Sequence, residues 1–172
     1  MDSEALISAL RADGPHPSMK DELMLFGQFV GSWDVDVTNI LPDGTTRAMK
    51  AEWHFGWALQ GRAIMDVWIC PRRSLQTAES PYEYGATLRF YDPDIRGWRS
   101  TWIGPVRHLV RPFIARKINK EIVLEGSFAA GTLTRWIFHT IESRRFLWRN
   151  IESTDGGRTW KEAQRMEAHR AG

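Results

Sequence analysis

Asp66, Arg89, His108 and His139 are the side chains of this sequence best suited to act on a small molecule, and each lies near tryptophans in an alternating segment. Histidine titrates near neutrality, with a reference pKa of about 6.5, so His108 or His139 beside a carboxylate such as Asp66 has the makings of a general acid or base. His108 follows the bend RSTWIGPVR, and His139 sits between Phe138 and Thr140 in a strand that is bulky on both faces. Both also read as ordinary hydrogen-bonded core histidines. The other three face solvent in this reading: His16 in a Pro-rich linker, His54 alternating with Lys50 and Glu52, and His169 near the end.

The aromatic content is the outlier. Nine Trp, eight Phe and three Tyr occur among 172 residues, and so much tryptophan serves either a large rigid core or a cavity that grips flat ligands. Hairpin arithmetic sorts these rings by face. Strands near 46–57 and 62–70 joined by an even-length turn pair positions whose numbers add to an odd sum. Trp53, Phe55 and Trp57 then share a face with Arg62, Ile64, Asp66 and Trp68, while Glu52, His54, Ala63, Met65 and Val67 take the other. The same count across 92–97 places Thr87, Arg89 and Tyr91 with Trp98, Ser100 and Trp102. Aromatic walls with a few polar groups are what a small-molecule pocket needs. Trp53, Trp57, Trp68, Trp102, Trp136 and Trp148 are the candidate ligand-binding rings. The plainer alternative is a barrel core in which Asp66 pairs with Arg62 or Arg89.

The elements that must position these residues are mostly strands. Residues 3–12 and 20–29 have helical spacing on either side of the breaker DGPHP, which predicts two short helices. After Gly31 every segment is short, alternating and bounded by turn residues, predicting strands near 32–40, 46–57, 62–70, 82–91, 97–103, 106–116, 121–128, 132–142, 145–153 and 160–169. Hairpin-linked strands pair with their neighbours, and so many of them curl until the edges meet. The expected fold is mainly β, an antiparallel up-and-down barrel of about 8–10 strands over residues 30–172, with a helical arm over 1–29 free to plug one end. The runner-up is a cone-shaped α+β fold, for which too little of the chain reads as helix.

Charge and composition exclude several classes. Lys plus Arg (23) exceeds Asp plus Glu (21) by only two, and the basic residues are scattered, so nucleic acid is not expected. No apolar run reaches the roughly 20 residues of a membrane span, and MDSEALISAL lacks the basic and then apolar pattern of a secretory signal, so a cytoplasmic protein is expected. Cys70 is a lone cysteine and reads as a small buried hydrophobe. P-loop, dinucleotide, zincin, G-x-S-x-G and EF-hand patterns are absent, nothing selects a metal site, and no cofactor is implied. A homodimer stays open.

FVGSWDVDV at 29–37 resembles the Gly-x-Trp entry strand of the lipocalin-like (calycin) barrels. GRAIMDVW at 61–68, FYDPDIRGWRSTWI at 90–103, IVLEGSF at 122–128 and FLWRNIESTDGGRTWKEAQRMEAHR at 146–170 look like the bacterial lipocalin-like family DUF1579. That resemblance implies a small ligand-binding barrel without fixing one reaction. Gly104 stands where such relatives often carry an acidic residue, so that acid is not carried over. STDGGRTW at 153–160 is similar to the Asp-box of sialidases, a hairpin motif whose carboxylate satisfies turn amides; it occurs once, and a structural role is expected. A further calycin relative, the haem-binding nitrobindin type, holds its haem by a histidine on the last strand, and His169 lies in that region but immediately before Arg170. The reading that follows is a small-molecule barrel, a cofactor-free lyase, isomerase or cyclase acting on a small aromatic or polycyclic substrate by general acid/base chemistry. The alternative is a non-catalytic binder of an apolar ligand or haem.

Overall fold

A computed structural model of the chain describes residues 3–79 and 83–172. The N-terminal segment forms α1 (Ser3–Leu10), a two-residue strand β1 (Arg11–Ala12) and α2 (Lys20–Gly27). α1 ends two residues before the spacing predicts, because Arg11 and Ala12 pair with Ala58 and Trp57 on the barrel edge. Ten antiparallel strands follow: β2 (Gly31–Ile40), β3 (Thr46–Ala58), β4 (Ala63–Cys70), β5 (Glu83–Asp92), β6 (Gly97–Gly104), β7 (Leu109–Ile118), β8 (Glu121–Ser127), β9 (Leu133–His139), β10 (Arg145–Ser153) and β11 (Lys161–Arg170).

Each of the ten pairs with the next, and β11 returns to pair with β2, so the sheet closes as an up-and-down barrel of the calycin kind. Closure satisfies the edge backbone groups that an open sheet would expose. The main departure from the expected strands lies after β6. Pro105–Arg107 forms a 3-10 turn, and β7 begins only at Leu109. β9 stops at His139 because Thr140 adopts a φ of +49°.

One end of the barrel is filled. α2 carries Asp21 and Glu22 in its first turn, where acidic side chains favour the helix dipole, and it turns Leu23 and Phe26 fully inward. Phe26 meets Trp98 edge-on at 4.9 Å between centroids, and the following Phe29 lies 4.8 Å from Phe146 and 5.0 Å from Phe138. The Trp57 ring lies so close to Gly27 that a Cβ there would sit 2.4 Å from it, which is why the helix ends on glycine. Trp33 donates from Nε1 to the Phe29 carbonyl at 2.7 Å, while the Arg170 guanidinium lies 4.3 Å above the Trp33 ring centroid. Arg170 also donates to the carbonyls of Val30, Gln28 and Ser143. The last strand is thereby bolted to the plug.

The Asp-box-like hairpin closes β10 onto β11 at the opposite end. Asp155 Oδ1 accepts from the Arg158 and Thr159 amides at 3.0 and 2.9 Å, and Oδ2 accepts from the Thr159 hydroxyl at 2.6 Å. Gly156 and Gly157 take φ of +75° and +86°, which a side chain would strain. Trp160 donates to the Gly157 carbonyl and supports the Arg135 guanidinium 4.3 Å from its centroid.

Two predictions follow from this frame. Phe26→Ala should lower unfolding stability by about 3–5 kcal/mol in urea titration, against less than about 1 for the exposed Met24→Ala. Comparable losses would mean that α2 does not plug the barrel. The hydrogen bonds from Thr159 and Ser153 hold the Asp155 carboxyl down to about 2. A carboxylate whose pKa is lowered on folding stabilises above its unfolded value near 3.9 and loses that contribution as pH falls towards 2. The urea midpoint of Asp155→Asn should therefore lie below that of the parent at pH 6 and converge with it by pH 2; a pH-independent gap would contradict the assignment.

Candidate functional site

Beyond the plug the interior opens into a cavity of about 480 Å³, within the roughly 300–1,000 Å³ common for small-molecule sites. Inward parity supplies its walls. Trp53 pairs with Trp68 across β3 and β4, and Thr87 with Trp102 across β5 and β6. β9 and β10 add Trp136 and Trp148. The five indoles form a band. Centroids are 5.2 Å apart for Trp68 and Trp53, 6.5 Å for Trp53 and Trp148, 5.6 Å for Trp148 and Trp136, and 6.4 Å for Trp136 and Trp102. Gly85 makes room for one member: a Cβ there would stand 2.4 Å from the Trp102 ring.

The floor is a buried ion pair. Asp66, paired with Phe55 on one side and Thr87 on the other, accepts from Trp53 Nε1 at 2.8 Å through Oδ1 and from Arg89 Nη2 through Oδ2. Both residues are no more than 2% exposed. The Arg89 guanidinium carbon lies 4.6 Å from the Phe26 ring centroid and 5.6 Å from that of Phe55, so plug and wall both shield the cation. Burial pushes the Asp66 pKa up, opposed by Arg89, Trp53 and Thr87; burial pushes Arg89 down, opposed by Asp66.

The mouth is polar. Asn39, Arg47, Glu83, Arg107, Arg111, Asn150, Glu152 and Gln164 line it. Arg107 pairs with Glu83 at 3.2 Å, Gln164 donates to Asn39 at 2.7 Å, and Arg111 lies 5.1 Å over Phe128. Cys70 is buried here, and burial together with Glu83 raises its thiol to about 11, which keeps it protonated and a poor nucleophile.

The candidates divide cleanly. Asp66, Arg89, Trp53, Trp68, Trp102, Trp136 and Trp148 all line the cavity. Trp57 shares their parity but lies at the plugged end against Gly27, outside the cavity. His108 also falls outside: it ends the 3-10 turn at a φ of +55°, exposed, and its neighbours Arg107 and Leu109 face the cavity instead. His139 is on the outer face because Phe138, its neighbour, packs inward against Phe26 and Phe146. Burial, with Arg149 adding to it, holds the His139 pKa below the usual value. His169 is exposed beside Glu167 at 3.2 Å, so it is not placed to bind haem in the cavity. Arg62 lies in the turn before β4, donating to His16, which leaves Arg89 as the partner of Asp66. Among the described residues no histidine lines the cavity. Arg47, Arg111, Asn150 and Gln164 were not foreseen. The pairing of Trp102 with Arg111 and of Trp136 with Asn150 is the signal that would have found two of them.

No family model matches the sequence, DUF1579 included, and no curated protein matches it. Among solved structures the chain is similar to the S-type phycobiliprotein lyase CPES of Guillardia theta, with a TM-score of 0.59 and 12% identity over 87% of this chain and 92% of that one. The likeness is one of fold: a lipocalin-like barrel.

Removing one partner of a buried ion pair strands the other charge. Asp66→Ala should cost about 3–5 kcal/mol in denaturant unfolding, and Asp66→Ala combined with Arg89→Met should recover most of it. A single-variant loss under about 1 kcal/mol would show that the pair is not buried as described.

Proposed function

We propose that this barrel takes up a flat, largely apolar molecule in the tryptophan band. The observation that carries the reading is the continuity of five indoles around an unfilled interior. A core optimised for stability would close such a space, since interiors pack to crystal-like density and cavities destabilise. Indole faces suit conjugated rings, and the floor is electrically neutral because Arg89 and Asp66 compensate each other. Segments 61–68, 90–103, 122–128 and 146–170 favour placing the chain with the lipocalin-like DUF1579 barrels, whose resemblance implies ligand binding. The Guillardia theta barrel, a phycobiliprotein lyase, agrees with small-molecule work on this fold.

A second reading, a cofactor-free lyase, isomerase or cyclase, rests on Asp66. Its carboxyl lies at the cavity floor, and burial raises its pKa, as occurs for carboxyls at functional sites. Both oxygens are engaged by Trp53 and Arg89, so proton transfer requires the substrate to displace one of them. On this reading Asp66→Asn slows turnover by roughly 10²-fold while ligand affinity persists.

Titration with the neutral fluorophore 1-pyrenebutanol tests uptake, because tryptophan emission is quenched when the ring system enters the band. Trp68→Ala and Trp102→Ala should each weaken binding by roughly tenfold or more, whereas Trp160→Ala, outside the cavity, should leave it unchanged. Equal effects from all three would assign the tryptophans to packing alone.

A further inference from the structure

The cavity is rich in donors that nothing in the protein satisfies. Trp53 spends its indole N–H on Asp66, but Trp136 Nε1 and Trp148 Nε1 are buried without a partner, as are Arg89 Nε and Nη1. All three residues line the cavity, and the only unpartnered buried acceptor beside them there, among the described residues, is Asn150 Oδ1. Buried donors left unmet are costly, so two of them on adjacent strands of the β9–β10 wall, with more at the Arg89 floor, point to an occupant on that wall. Four donor nitrogens against one carbonyl oxygen call for an occupant that mainly accepts.

Charge at the mouth points the same way. Of the ionised groups lining the cavity, Asp66 is matched by Arg89 and Glu83 by Arg107. Arg47 and Arg111 have no carboxylate within ion-pair distance among the described residues, while Glu152 accepts from Asn150 Nδ2 at 3.3 Å. Arg111 is paired in register with Trp102, whose ring is the neighbour of Trp136. A free guanidinium and two orphan indole donors therefore serve the same side of the cavity. Oxyanions are recognised by such sets because charge-assisted hydrogen bonds are the stronger ones.

From this we infer that the ligand is a conjugated organic acid, its ring system held in the tryptophan band and its carboxylate on the wall formed by Trp136, Trp148 and Arg111. The inference rests on the uptake reading above and adds the chemical class of the ligand.

Three probes that differ only at the chain end test it on the full-length protein: 1-pyrenebutyrate, 1-pyrenebutanol and 1-pyrenebutylamine, followed by tryptophan quenching. The butyrate should bind roughly tenfold tighter than the alcohol, with the amine weakest. Arg111→Gln should erase most of that preference while alcohol binding persists, and Trp136→Phe combined with Trp148→Phe should lower the ratio of butyrate to alcohol affinity itself, with far-ultraviolet circular dichroism reporting that both variants are folded. Equal affinity for all three probes, or a preference unaltered in both variants, would overturn the acid while leaving uptake standing. Binding of none of the three would overturn uptake itself, and the acid with it.

Discussion

The buried pair of Asp66 and Arg89 is the interaction around which the interior is organised. Taking both charges out of water is expensive, and it is tolerated because each neutralises the other, Trp53 donates to Asp66, and Phe26 and Phe55 cover Arg89. The pair thus fixes a boundary. On one side Phe29, Trp33, Phe138 and Phe146 fill the barrel completely; on the other the tryptophans stand around open space. Moving either β4 or β5 by one residue would turn a buried charge outward and leave its partner unmatched, so the pair also defends the strand register.

This boundary explains the aromatic excess. A ten-stranded barrel is wider than ordinary aliphatic side chains can fill, and the chain answers in two ways. At one end it inserts a helix and packs phenylalanines against it; at the other it lines the wall with the largest side chains available and leaves a gap. Trp33 and Trp98 belong to the first solution, and Trp53, Trp68, Trp102, Trp136 and Trp148 to the second. Trp160 belongs to neither and supports the hairpin at the rim.

Parity across short hairpins was legible in the sequence, and with it which residues of β3 to β6 share a face, Trp53 with Trp68 and Arg89 with Ser100 among them; the structure turns those faces inward. Depth along the barrel was not. Trp57 has the right parity and the wrong height, because nothing local says where α2 will end. The histidines failed for a different reason: the 3-10 turn at Pro105–Arg107 interrupts the alternation on which His108 depended, and the bulk on both sides of β9 hid that Phe138, not His139, packs inward. The mouth residues Arg47 and Gln164 are brought together only by closure of first strand on last, a contact between segments more than a hundred residues apart.

On the reading proposed above, the tryptophan band is a binding site and not merely a wide core. A crystal structure of the protein saturated with 1-pyrenebutyrate tests it most directly. The pyrene rings should lie within the band between Trp68 and Trp136, above an intact ion pair of Asp66 and Arg89, with the carboxylate against Trp136, Trp148 and Arg111. Density for the probe only on the outer face of the barrel, with the interior collapsed or filled by rearranged indoles, would contradict it.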